Sequence, residues 1–504
     1  MKKSVLTRIL ALVFAVIMLV SVVACTQDPD TGKESQPPAE TDPTPPQESQ
    51  SQVESETEPT WETQNLYNGE TFSVLAYDSV TNFKWSNIPD DIYAESNDGD
   101  ILTSAVYKRG VVLKDQLGVQ LELVRWTSGF SDELVRDIND GEYKYQLVIP
   151  QTLSIVTLVN KASITSINKA GFDFSYPWFD KQTTDLLTVK GKTVAISSDM
   201  TFIDKLCTIA VFYNKQMASD NNLGDLYEMV NNKTWTFTKM LEMAESAVPT
   251  VDDDGIYTVN DTYGISCQND GGYYFYHASG LTSVSRKNNG GLMLTFNSEE
   301  SVNVLERVLT LTSNKRIYLN AQSSDTKFTG GQTSADHFAS GKALFLVRPL
   351  QTLFTLSQLT DNYGIIPMPL MTDTQENYYT PVNTHASTHM CVPSKITNEK
   401  LTEDTVQWLG SYSRKNITPV FYEVVLGSRM TQDKDSPKML DIIFAGRVYD
   451  LGYIWNVTNV RDILTSTIGP ATIQPGSVKT KIDKYITPME LAIGTLEKSW
   501  GALE

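Results

Sequence analysis

Between residues 71 and 149 short apolar runs alternate with helical stretches, and this alternation restricts the fold more than any other feature. TFSVLAY at residues 71–77 is an apolar run of strand length. Residues 98–116 place Ile101, Leu102, Ala105, Val106, Val112 and Leu113 near helical spacing, and Gly118 stands where such a helix should stop. Residues 119–125 alternate as a strand, 131–139 read as a helix, and 146–149 as another strand. Connections of this length cannot be hairpins. A β-α-β-α-β order joined in this way requires parallel strands wrapped by helices.

The same style continues along the chain. Strands are expected at 193–197, 207–213, 342–347, 363–366 and 390–392, and helices at 235–247, 301–312 and 403–413. From Asp462 to Leu503 the pattern is helical, with Pro470, Pro475 and Pro488 expected to break it. A body of this size with no second linker predicts two intertwined lobes. The net charge of −19 over 504 residues argues against a nucleic-acid partner, whose phosphates need a basic surface. Four cysteines are too few for a disulfide scaffold, and one N-terminal apolar stretch excludes a polytopic membrane protein.

That stretch is an address. Lys2, Lys3 and Arg8 precede the apolar run Ile9–Val23, the architecture of a signal peptide over residues 1–24. It ends in Val22-Val23-Ala24-Cys25, which resembles the bacterial lipobox and marks Cys25 as the lipidation site. Two or more acyl chains there would anchor the protein to the outer, extracellular face of the cell membrane. Residues 25–67 form a tether rich in Pro, Ser, Thr and Glu. From Thr26 to Glu70 eleven acids face a single lysine, so ordering entropy and self-repulsion keep this segment extended.

At Thr208 the pattern becomes specific. TIAVFYNKQMASDNNLGDLYEMVNNKTWTFTKMLEMAESA resembles the extracellular solute-binding lipoproteins of ABC importers, family 1, which are maltose-binding-protein-like. In that family a strand ends in Tyr-Asn-Lys, here Tyr213-Asn214-Lys215, and a Trp-Thr pair opens a helix, here Trp235-Thr236. Tyr263-Gly264-Ile265, Phe338-Ala-Ser-Gly341-Lys342-Ala343 and Tyr363-Gly364-Ile365-Ile366-Pro367 follow in the same order. Asp91-Ile-Tyr-Ala-Glu95 and Asp98-Gly99-Asp100 add to the likeness near the start. The resemblance implies an α/β, type II periplasmic-binding fold of two discontinuous lobes around a hinge cleft. Lobe 1 would be 68–208 with 386–440, and lobe 2 would be 209–385 with 441–504. It further implies a non-catalytic binding protein that closes on a sugar or oligosaccharide and serves ABC permease subunits.

Signatures of catalysis do not compete strongly with this reading. The chain has no HExxH, no GxSxG and no GxxxxGK[ST]. Its abundant acids still leave a secreted carbohydrate-active enzyme as an alternative, and a surface sensor or adhesion lipoprotein as another. Cys207, Cys267 and Cys391 read as small buried hydrophobes. His385 and His389, four apart in a strand or loop, do not share a helical face. No cofactor is required, although one loop suggests a structural calcium. Asp252, Asp254, Ile256 and Asp261 take positions 3, 5, 7 and 12 of an EF-hand-like loop, with Gly255 at the turn. Thr250 at position 1 and an aspartate at position 12 weaken it, and a metal-free acidic turn is the competing reading.

Sugar sites place aromatic faces against apolar ring faces and planar polar groups against hydroxyls. Position selects the candidates. Trp85 lies in the loop after the first strand, and Asp199 follows a strand end. Asp270, Tyr273 and Tyr274 follow a Gly-rich turn. Arg348 follows the Gly-Lys-Ala strand, and Trp455 lies in YDLGYIW near the C-terminus.

Overall fold

The computed structural model describes residues 65–78, 90–169, 172–248, 257–323, 333–356, 363–372, 374–426 and 435–503. The signal segment, Cys25, most of the tether, Trp85, Asp252, Asp254 and Ile256 lie outside the described residues.

The first sheet has the order β2-β1-β3. β1 (Glu70–Tyr77) leads through α1 (Ile101–Leu117) to β2 (Val119–Trp126), and α2 (Phe130–Asp140) leads on to β3 (Leu147–Ile149). Both pairings are parallel, with Phe72 opposite Leu121 and Val74 opposite Leu147. α1 starts at Ile101 because the Asp100 carboxylate accepts the N–H groups of Leu102 and Thr103 at 2.8 and 3.0 Å. It ends at Gly118, whose φ of +70° favours glycine. Along β1, Phe72, Val74 and Ala76 enter one buried cluster and Leu75 the other, as the period of two requires. On the buried face of α1 the two terminal guanidinium nitrogens of Arg109 donate to the carbonyls of Asp91, Ile92 and Met200 and to Ser413 Oγ.

The second sheet contains β4 (Ile209–Asn214), β5 (Tyr263–Cys267), β6 (Tyr318–Asn320), β7 (Ala343–Pro349) and β8 (Tyr363–Ile366), in the order β6-β5-β7-β4-β8. β5 is parallel to β6 and β7, whereas β4 is antiparallel to β7 and β8. α3 (Phe237–Ser246) is capped by Thr236, whose hydroxyl accepts the Lys239 N–H at 3.1 Å. α4 (Gly271–Ala278) follows β5 directly, and α5 (Glu299–Ser313) packs on α4.

Residues 380–393 run from one sheet to the other. At one end β9 (Thr380–Pro381) pairs with β10 (Arg447–Val448), and Val382 bridges Thr208 just ahead of β4. At the other end Thr388 bridges Gln151, Met390 bridges Ile196, and Cys391 bridges Val148 of β3. α6 (Glu399–Asn416) then returns to α1 and β1 of the first sheet. A buried ion network braces this region. Arg447 reaches Asp204 at 2.9 Å and also pairs with Asp180, while Gln182 Nε2 donates to the Arg447 carbonyl at 2.8 Å.

The C-terminal part contributes a π-helix that packs on α4 and α5 and a long last helix that packs on the strand Leu292–Leu294 and the helix Ile155–Asn160. It comprises α7 (Leu451–Ile454), a π-helix at Asp462–Ile468 and α8 (Ile486–Gly501). Pro488 does not break α8. It sits in the first turn, where its missing N–H has no intrahelical partner to lose. The π-helix lies tight against α4: a Cβ on Gly272 would come within 2.0 Å of the Leu464 carbonyl oxygen, and one on Gly469 within 1.7 Å of that of Asn269.

Candidate functional site

Ligands of open α/β sheets sit outside the carboxyl ends of strands. In the second lobe those ends deliver Asp270, three residues past β5, and Arg348, near the end of β7. Asp270 immediately precedes α4, yet its carboxylate caps none of the helix N–H groups, so it is available for other contacts. Gly272 allows α4 to approach the π-helix closely, and Gly271 lets its first turn lie against the Tyr318 hydroxyl of β6.

Tyr273 donates its hydroxyl to the Val382 carbonyl at 2.9 Å, tying α4 to the crossing segment. Its ring lies 4.2 Å from that of Tyr453 on α7. Tyr453 in turn meets His385 of the crossing segment, hydroxyl to Nε2, at 3.2 Å. Arg461 holds its guanidinium 5.6 Å from the Tyr453 ring and donates from Nε to the Tyr453 carbonyl at 2.6 Å. α7 is held by the fully buried Asp450, whose Oδ1 accepts from Gly452 N–H and Ser283 Oγ, both at 2.9 Å. The other oxygen, Oδ2, accepts the Ser283 N–H at 2.9 Å, and His277 Nε2 lies 3.5 Å from it.

Burial raises the Asp270 pKa above the usual carboxylate range, although His385, Arg348 and Tyr274 all pull it back. Desolvation lowers the His385 pKa, with Asp270 opposing and Arg461 reinforcing. Burial also drives the Tyr273 and Tyr274 phenols well up, so both stay protonated. The group therefore gathers the Asp270 side chain, the Arg348 guanidinium, the His385 imidazole and the phenol rings of Tyr273, Tyr274 and Tyr453, tilted or edge-on to one another, around one corner of the interlobe junction. His385, which is exposed, and Asp270, which is half-buried, can bond hydroxyls, with the phenol rings buried behind them. Beside it a crevice of about 410 Å³ runs along β6, lined by Tyr257, Tyr318, Asn320 and residues 470–474. Asn320 Nδ2 donates to Asn269 Oδ1 at 2.7 Å, one residue from Asp270, and so joins the crevice to the cluster.

Of the residues singled out in the sequence, the structure thus brings together Asp270, Tyr273, Tyr274 and Arg348. Asp199 stands apart, paired with Lys205 at 3.3 Å and Arg414 at 3.2 Å. Trp455 is only 6% exposed and packs its indole 4.4 Å from Trp500. Asp261 folds back on its own turn, where its carboxylate accepts from the Thr258 N–H and hydroxyl. Among the described residues no group of three or more metal-ligating side chains gathers. Cys207, Cys267 and Cys391 are buried free thiols. Sequence reasoning missed Tyr453 and gave His385 no role in the cleft. A Tyr two residues from the chosen Trp was the available signal.

No family model matches the chain, and no curated protein matches it. Solved structures do. A cyclo/maltodextrin-binding protein complexed with maltotetraose is 14% identical, covering 87% of this chain and 100% of its own at a TM-score of 0.53. A cyclic α-maltosyl-1,6-maltose binding protein from Arthrobacter globiformis is 12% identical, covering 85% and 99%, with a TM-score of 0.52. An ABC substrate-binding protein from Listeria monocytogenes in complex with cycloalternan is 12% identical, covering 86% and 99%, with a TM-score of 0.50. With its two sheets, its crossing segment and this overlap over nearly the whole described body, the chain has the two-lobed type II periplasmic-binding fold.

Proposed function

We propose that this protein is a non-catalytic solute-binding subunit of an ABC importer that captures a sugar or oligosaccharide between its lobes. In this reading Cys25 carries the lipid, and the acidic tether holds the body away from the outer face of the membrane. The carrying observation is the cluster of Asp270, Tyr273, Arg348, His385 and Tyr453, placed where the strand ends of the second lobe meet the crossing segment. Hydroxyl-bonding groups alone gain little by replacing water, so an aromatic face must supply part of the affinity. The named ligands of the structural neighbours, maltotetraose and two cyclic glucans, are compatible with that chemistry.

Calorimetric titration of the full chain with maltotetraose, cycloalternan and cyclic α-maltosyl-1,6-maltose tests the reading, with chromatography of each glycan afterwards. Saturable binding with the glycan recovered intact is expected. Release of shortened products would establish the carbohydrate-active enzyme instead. Loss of membrane retention or of precursor processing in Cys25→Ala is expected from the lipid anchor, and normal processing of that variant would exclude it.

A further inference from the structure

Resting on the cleft reading above, we propose that His385 is a ligand-contacting residue whose ring exchanges the Tyr453 hydroxyl for a hydroxyl of the bound sugar, making capture sensitive to mild acid. His385 belongs to the crossing segment rather than to either sheet. Its carbonyl accepts from Nε2 of Gln151, the second residue past β3 of the first sheet, while its ring bonds Tyr453 of the second lobe at 3.2 Å. The two rings stand nearly perpendicular, at 83°, with centroids 6.2 Å apart. Tyr453 is 1% exposed, whereas His385 is open to solvent. The imidazole is therefore the part of this cluster that an arriving solute meets first, and displacing its bond to Tyr453 uncovers a donor or acceptor already aimed into the site.

The charged and titratable groups facing the ring are Asp270 from the start of α4, Arg461 ahead of the π-helix and Tyr453 from α7. Arg348 of β7 faces Asp270 in turn. Protein crowds the ring although water still reaches it, and this desolvation already holds its pKa below the ordinary 6.5 in spite of Asp270. A sugar filling the site removes the remaining water and disfavours the imidazolium further. The bound state then holds fewer protons than the free state. Affinity is full above the pKa of the free protein's His385 and falls as pH drops through it, by no more than about tenfold per pH unit for one proton. Protonation also adds a coulombic attraction between the imidazolium and Asp270, which a sugar seated beside them must weaken.

The test uses the full chain and maltotetraose, titrated calorimetrically between about pH 5 and pH 8. The wild type is expected to lose affinity on the acid side. His385→Gln is expected to bind several-fold more weakly near neutrality and to lose the acid-dependent slope. Tyr453→Phe, which keeps the imidazole, is expected to keep the slope. The ring's own NMR resonance, identified by its disappearance in His385→Gln, should titrate at lower pH when maltotetraose is saturating. A slope in His385→Gln equal to that of the wild type overturns the proposal, as does a resonance whose titration saturating sugar leaves unmoved. A wild type that binds neither maltotetraose nor the cyclic glucans at any pH overturns the cleft reading itself, and this inference with it.

Discussion

Arg447→Met isolates the energetics of the junction. Arg447 is 7% exposed, and its guanidinium is shared between Asp204, 1% exposed at its side chain, and Asp180. Burial would lower the Arg447 pKa, but Asp204, Tyr449 and Asp180 outweigh it and hold the group firmly protonated. For Asp180, burial pushes the pKa up, and Arg447 with the Thr183 N–H and hydroxyl brings it below the usual range. Methionine fills much of the volume but leaves two carboxylates without their counter-charge. Breaking a buried pair from one side costs about 3–5 kcal/mol. For a cooperative unit of about 440 residues the unfolding entropy is about 0.9 kcal/mol/K, so melting should fall by about 4 °C. Adding Asp204→Asn should recover part of that loss, because it removes the stranded charge. The deficit of the single variant should also shrink as pH falls, since a stranded carboxylate with a raised folded pKa takes up a proton before its unfolded counterpart does. Scanning calorimetry of wild type, single and double variants at neutral and mildly acid pH reads all three effects. An unchanged melting point in Arg447→Met, or a double variant less stable than the single one, would refute the reasoning.

Other expectations are equally direct. Gly272→Ala drives a methyl toward the Leu464 carbonyl oxygen, 2.0 Å from an ideal Cβ, and should cost about 1–3 kcal/mol in urea unfolding; Gly494→Ala, open on α8, should instead stabilise by about 0.5–1 kcal/mol. His389 is buried against Ser197 Oγ at 2.8 Å, and desolvation lowers its pKa to about 4. The contribution of neutral His389 is intact above its unfolded pKa and is lost as pH falls toward 4, so relative to His389→Gln the wild type should lose about 3 kcal/mol across that window. Trp455→Ala should cost about 3–5 kcal/mol of stability through its contact with Trp500, and glycan affinity of the folded fraction should stay unchanged.

Legibility in the sequence followed the reach of the interactions. β1, β2, β3 and β8 were readable because each is an apolar or alternating run whose burial follows from its own residues. The strand read at 193–197 is instead a two-residue hairpin arm at Lys192–Thr193, followed by isolated bridges from Ile196 to Met390 and from Ser198 to Phe179. The bridge to Met390 depends on a segment almost two hundred positions away, which local pattern does not report. Asp270 and Tyr273 were legible because a strand end followed by two glycines marks a close approach. Tyr453 was not, because α7 is a single turn and periodicity cannot tell which of Tyr453 and Trp455 turns toward the junction. Asn456, at φ +51°, turns the chain just beyond them; Trp455 packs against Trp500 and Tyr453 bonds His385. His385 carries no local signature at all; its place comes from Gln151 on one lobe and Tyr453 on the other.

Small-angle scattering of the full chain, with and without a saturating glycan from the panel above, reaches the central claim most directly. Capture between two lobes hinged at residues 380–393 requires the radius of gyration to decrease on binding, with the glycan recovered unaltered. A radius that stays constant while calorimetry shows the site filled would contradict capture by closure.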